Sequence, residues 1–158
     1  MAQLRSIRRK LRRFAQIGRS ARGLTIEAAA WLLLARLALI FVPFPLLARR
    51  LGTFVTPTDV RAVQAGSRRQ GEPARIAEEV GWAVSRSARY VPFKAVCLPQ
   101  AIAARMMLKR RGVESVLYFG GAKGQDMPFD THAWLRAAGV DVTGYPAANR
   151  YAEIACLV

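Results

Sequence analysis

Histidine occurs once in this chain, as His132, and cysteine only twice, as Cys97 and Cys156. Two thiols are too few for a disulfide framework, and with one imidazole they are too few for a zinc site. A reducing compartment suits that thiol usage best. Acid is scarce as well: 10 Asp and Glu stand against 25 Lys and Arg, a formal net charge of +15. Such an imbalance favours anionic partners: nucleic acid, a membrane surface, an acidic peptide or an acidic protein. There is no phosphate-cradling glycine loop and no metal-ligand spacing, so neither a cofactor nor a metal is expected. No RNA-recognition motif is present, and Trp31, Trp82 and Trp134 are scattered, so nucleic acid is the weaker choice of partner.

What remains is enough for one domain. The 158 residues are 53% hydrophobic, which a packed core requires and a disordered chain lacks. Charge is concentrated at the start, where residues 1–22 hold eight basic residues and no acid. That stretch reads as a solvated basic arm or helix, or more sharply as a dock for anionic lipid or an acidic partner. Next comes "LTIEAAAWLLLARLALIFVPFPLLARRLG", the most apolar stretch. Glu27 and Arg36 interrupt it and Pro43 and Pro45 cut it, which argues against a membrane-crossing helix. The long basic region and the poor cleavage site Ala48-Arg49-Arg50 argue against a signal peptide. The pattern predicts a protein-buried helix over 25–42 and a short one over 46–51.

Thr58 or Asp59 is positioned to cap a helix reaching about Gln64. Residues 65–73 read as a linker. Ile76, Val80, Ala83, Val84 and Ala88 repeat at helical spacing over 74–90, and Pro92 closes that helix. Beyond Gly112 the composition changes. "SVLYFGG" reads as a strand and "GGAKGQDMP" as a loop. "THAWLRA" and "VDVTG" form a hairpin turning at Ala138-Gly139, and "RYAEIACLV" a closing strand. The order predicts an α+β fold, a helical N-terminal two-thirds packed on a small C-terminal antiparallel sheet.

Cys97 stands beside Leu98-Pro99 at the start of a helix that ends near Gly112. Pro99 suits the first helical position, and Gly112 a C-cap. A thiolate just outside the positive end of a helix is stabilised by free N–H groups, although a lone cysteine is more often a small buried hydrophobe. Cys156, in the apolar run "IACLV", reads as core. His132 lies on a strand 35 residues after Cys97. A helix packed on a sheet can bring the two together, and a Cys–His pair is the minimum for thiol-based acyl transfer.

"CLPQAIAARMMLKRRGVES", a strand, and then "THAWLRAAGVDVTGYP" resemble the leader peptidase of lasso-peptide biosynthesis, a transglutaminase-like cysteine protease. "ARLALIFVPFPLLARRLG" resembles the helical region ahead of that core. The resemblance divides the chain into a basic arm (1–23), a helical region (24–72) and a transglutaminase-like or papain-like core (73–158). It implies Cys97 as nucleophile and His132 as general base. Gln100 is a candidate oxyanion donor or a plain surface residue. Trp134 is a cleft wall or a core residue.

The third triad member is open. The family places an Asp on the strand after the histidine, where this sequence has Thr143, Gly144 and Tyr145. Asp141 is the tentative choice, but a turn at 138–139 pairs it with Arg136 and leaves it more than ~12 Å along the strand from His132. Asp130, a backbone carbonyl or the Tyr145 hydroxyl are the alternatives. The resemblance also implies partners: a lasso precursor carrying the leader, a separate leader-binding protein, and an asparagine-synthetase-like cyclase that closes the macrolactam. A small pocket near Cys97 for the penultimate leader residue follows as well. The expected location is cytoplasmic, with peripheral contact at the inner membrane face through the basic N-terminus. Two rival readings stand beside it: another Cys–His acyl-transfer enzyme, such as a transglutaminase or amidase, and a non-enzymatic basic binding protein.

Overall fold

A computed structural model describes residues 19–67, 71–123 and 130–158. Residues 1–18 of the basic arm, 68–70 of the linker and 124–129 of the expected loop lie outside the described residues.

Helix α1 spans Arg19–Phe41, starting earlier than the expected residue 25. Thr25 sits inside it, its hydroxyl donating to the Ala21 carbonyl at 2.7 Å. Pro43 separates it from α2 (Phe44–Leu51), whose Pro45 lies in the first turn, where no backbone N–H is required. A two-residue strand, β1 (Phe54–Val55), follows. Asp59 caps α3 (Val60–Gly66), accepting the Arg61 N–H at 2.9 Å. Helix α4 spans Glu72–Ala88, with Pro73 in its first turn. Helix α5 spans Cys97–Lys109. Its end is a Schellman motif: Gly112 at φ +68°, the Gly112 N–H on Lys109 (3.1 Å), and the Val113 N–H on Leu108 (3.0 Å).

The last third is a sheet, as its composition predicts. Strands β2 (Val116–Ala122), β3 (Asp130–Ala137), β4 (Val140–Thr143) and β5 (Ala152–Leu157) join β1 in the antiparallel order β1-β5-β2-β3-β4. A 3-10 turn, Ala147–Arg150, precedes β5. Ala138 and Gly139 make the β3–β4 turn with φ of 50° and 76°, the twin positive angles of a type I′ hairpin. The architecture is the α+β class.

One apolar cluster joins Ala28, Leu32 and Ala35 of α1, Val80 and Val84 of α4, and Met107 and Leu108 of α5 to Leu117, Leu135 and Leu157 of the sheet. The expected helical region and the expected core therefore share one interior. A second cluster, on the other sheet face, holds Val116, Tyr118, Trp134 and Cys156 with Ala62 and Ala148. Cys156 is fully buried.

Arg105 is also buried, 8% exposed, although its charge suggests surface. Its Nε donates to the Leu51 carbonyl at 2.9 Å, and its Nη1 to Ser115 (2.6 Å) and Leu157 (3.0 Å). Arg111 forms a two-bond pair with Glu27 at 3.1 and 2.6 Å, tying α5 to α1.

Two outcomes follow. Arg105→Met leaves three carbonyls without their donor and lowers unfolding stability by about 3–5 kcal/mol in urea titrations, and Arg105→Lys rescues little, because an ammonium cannot span three sites. Arg111 also holds the Glu27 carboxyl below its ordinary value of 4.5, through hydrogen bonding first. That contribution is complete above the unfolded value and vanishes as pH falls through the lowered one. Glu27→Gln should thus lower Tm at neutral pH and converge with wild type in acid.

Candidate active site

Cys97 is the first residue of α5 and half-buried. Val96 ahead of it is extended (φ −75°), and no side chain caps the helix. The first intrahelical bond is made by the Gln100 N–H, on Val96 at 3.3 Å. The N–H groups of Cys97 and Leu98 therefore have no partner within the helix, and Pro99 has none to place. The helix starts two residues earlier than expected, with Pro99 third rather than first. The first turn tolerates this because none of its N–H groups serves the ladder.

Gln100 is half-buried. Its amide donates to the Ala95 carbonyl at 2.6 Å and closes the chain just ahead of the thiol.

His132 is the third residue of β3, and its Nε2 lies 2.8 Å from the Gly144 carbonyl oxygen. A carbonyl only accepts, so Nε2 carries a hydrogen, and in the neutral ring the lone pair is on Nδ1. The ring is stacked between Trp134, 6.0 Å away at 20°, and Tyr151, 4.9 Å away at 22°. Trp134 in turn stacks on Tyr118 at 5.7 Å, so its indole serves both the core and the histidine. The indole lies over Gly120, where an added Cβ would meet the ring at 2.5 Å.

Tyr151 is a site residue that the sequence reading did not single out. Its hydroxyl donates to Asp130 at 2.6 Å, and that bond is the main reason its phenol is pushed up. The charge of the Cys97 thiolate acts in the same direction. No hydrogen bond joins the Cys97 thiol to the His132 ring. Tyr151 is stacked on the imidazole.

Asp141, the tentative third member, is paired elsewhere. It stands opposite Arg136 in the hairpin and accepts from its Nε at 3.0 Å. Tyr145 lies by Arg136 and Asp141, and burial pushes its phenol up to about 12. A bulge between Leu135 and Arg136 sets Leu135 opposite Thr143, and the chain then presses Gly144 onto β3. Gly144 has φ +86°, and a Cβ there would lie 2.6 Å from the Trp134 Cβ. Only glycine allows this approach, which is what delivers the carbonyl to His132.

A family model of the Transglutaminase-like superfamily matches residues 38–156. The chain belongs to that superfamily. No curated protein and no solved structure matches it. The superfamily includes Cys–His acyl-transfer enzymes and peptidases, and its members are typically cysteine-dependent. The matched span begins inside α1 and takes in α2, β1 and α3, so residue 73 is an internal point of the superfamily domain. Within that domain Cys97 occupies a helix start and His132 a strand. The orienting partner is main-chain rather than carboxylate. A carbonyl leaves no residue-type signature, and the only trace in the sequence was a glycine where the resemblance places an acid.

Cys97 and Cys156 are distinguishable by alkylation. Burial pushes the Cys156 thiol up and hides it. In the folded chain Cys97 should react with iodoacetamide at least roughly tenfold faster than Cys156, read by peptide mass mapping. His132→Ala should slow Cys97 alone.

Proposed function

We propose that this chain is the cysteine peptidase that removes the leader from a lasso-peptide precursor. Its motifs in order support the reading, as does membership of a superfamily of thiol enzymes. The observation that carries it is the His132 ring, held through Nε2 by Gly144 so that Nδ1 is free to act as base. The thiol proposed to pair with that base is half-exposed at the start of a helix.

In the proposed reaction Nδ1 takes the Cys97 proton, and the thiolate attacks the carbonyl carbon of the scissile peptide bond. The N–H groups at the start of α5 meet the oxyanion. Collapse of the tetrahedral intermediate breaks the C–N bond, and the imidazolium gives its proton to the departing amine of the core peptide. Water, deprotonated by His132, then hydrolyses the thioester and frees the leader acid. Thiol–imidazole contacts are commonly long without substrate and tighten when it binds. The freed amine is the group a macrolactam-forming cyclase needs. A separate leader-binding protein presents the precursor.

The superfamily also includes enzymes that hand the acyl group to an amine, so the nature of the product decides. Purified chain is mixed with precursor and leader-binding protein, and the products are weighed by mass spectrometry. Free leader acid and free core are expected, with Cys97→Ala and His132→Ala each reducing the rate by at least ~10³-fold. An amine adduct would assign the chain to transfer instead, and unimpaired cleavage by Cys97→Ala would remove the peptidase reading.

A further inference from the structure

Helix α1 is apolar on two sides. At ~100° per residue, Thr25, Ala28, Leu32 and Ala35 fall on one stripe. All four are buried, against α4 and α5. On a stripe rotated from it by roughly 130° lie Ile26, Leu33, Leu37 and Ile40, with Leu34 and Phe41 beyond them. They are exposed by 60, 45, 41, 57, 52 and 77% respectively. The exposed run continues past the helix through Val42, Phe44 and Leu46. From Ile26 to Phe41 the stripe is about 22 Å long. Soluble surfaces rarely leave so continuous an apolar face uncovered.

The charges around this face are of one sign. Between residues 19 and 51 the only acid is Glu27, and Arg111 neutralises it at 2.6 Å. Arg36 flanks the stripe, and Arg49 and Arg50 stand exposed in the last turn of α2. We propose that this face is a monotopic dock for an anionic lipid bilayer. In it α1 lies in the membrane plane with its exposed stripe in the acyl boundary and the arginines among the headgroups.

Three observations select this occupant. The span Ala21–Phe41 is long and apolar enough to cross a bilayer, with mean hydropathy 1.9, yet its buried stripe is committed to α4 and α5. The helix therefore lies on the membrane rather than through it. A second copy of the chain would bring +15 against +15. A protein partner ordinarily forms directed hydrogen bonds across an interface, and the exposed stripe has no side-chain donor or acceptor to offer. The inference does not depend on the peptidase reading, because it uses no residue of the site.

The test uses the full chain and sedimented vesicles of phosphatidylcholine alone or with phosphatidylglycerol. Wild type should partition onto the anionic vesicles and only weakly onto the neutral ones. Leu37→Asp with Phe41→Asp should weaken partitioning roughly tenfold or more while leaving Tm unchanged, since both side chains face away from the core. Phe41→Trp supplies a readout independent of that double variant: its emission should shift to the blue on anionic vesicles and be quenched by brominated acyl chains. Wild type staying in the supernatant, a double variant that binds like wild type, or an unquenched Trp at 41 would overturn the proposal. Dimers that the double variant dissolves, seen without vesicle binding, would give the face to a second copy.

Discussion

Arg105 ties together the two halves of this fold. Its guanidinium gathers three carbonyls that terminate three elements: Leu51 at the end of α2, Ser115 just before β2, and Leu157 at the end of β5. Chain ends of this kind are where orphan acceptors collect, and a cation at a helix C-terminus also suits the dipole. A buried charge is costly unless its donors are used, and here three charge-assisted bonds offset the desolvation. Arg105 belongs to the same helix as Cys97, two turns further on, roughly 12 Å away. Whatever fixes α5 against the sheet therefore also fixes the position of the thiol.

A similar economy holds around His132. A carboxylate beside imidazole does two things: it selects the tautomer, and its charge stabilises the imidazolium. The Gly144 carbonyl does the first fully and the second only through its dipole. The stacked faces of Trp134 and Tyr151 supply part of the remainder, because an aromatic face attracts a cation. Asp130 contributes at one remove, through the Tyr151 hydroxyl. An acid at position 144 would not fit the present backbone, since any Cβ there runs into Trp134. The aromatic column and the missing acid are thus parts of a single arrangement.

The elements with strong local chemistry were legible in the sequence. Asp59 as a cap, Gly112 as a helix end and the Ala138-Gly139 turn each occupy the place their chemistry predicts, and the turn set Arg136 opposite Asp141. The mixed fold class followed from the order of helical and strand-like stretches. What depended on tertiary placement was not legible. The Leu135–Arg136 bulge changes the register beyond the turn, and with it the residue facing His132. Tyr151 reaches the imidazole because a 3-10 turn rather than a plain strand leads into β5. Charge usually marks exposure, and only the convergence of three element ends makes Arg105 interior.

Helix α1 shows why averaged hydropathy was ambiguous. A mean over its length cannot separate a stripe that packs on α4 and α5 from the second stripe that does not, and both raise the same number. Proline and charge placement argued against a simple crossing helix, but they did not require the outer side to be polar. The two stripes are rigidly coupled: the inner one shares its core with α5, and Glu27 of α1 holds Arg111 beyond the α5 end. A surface engaging the outer stripe would therefore set the orientation of the helix that begins at Cys97. Position relative to that surface and position of the thiol are, mechanically, one variable.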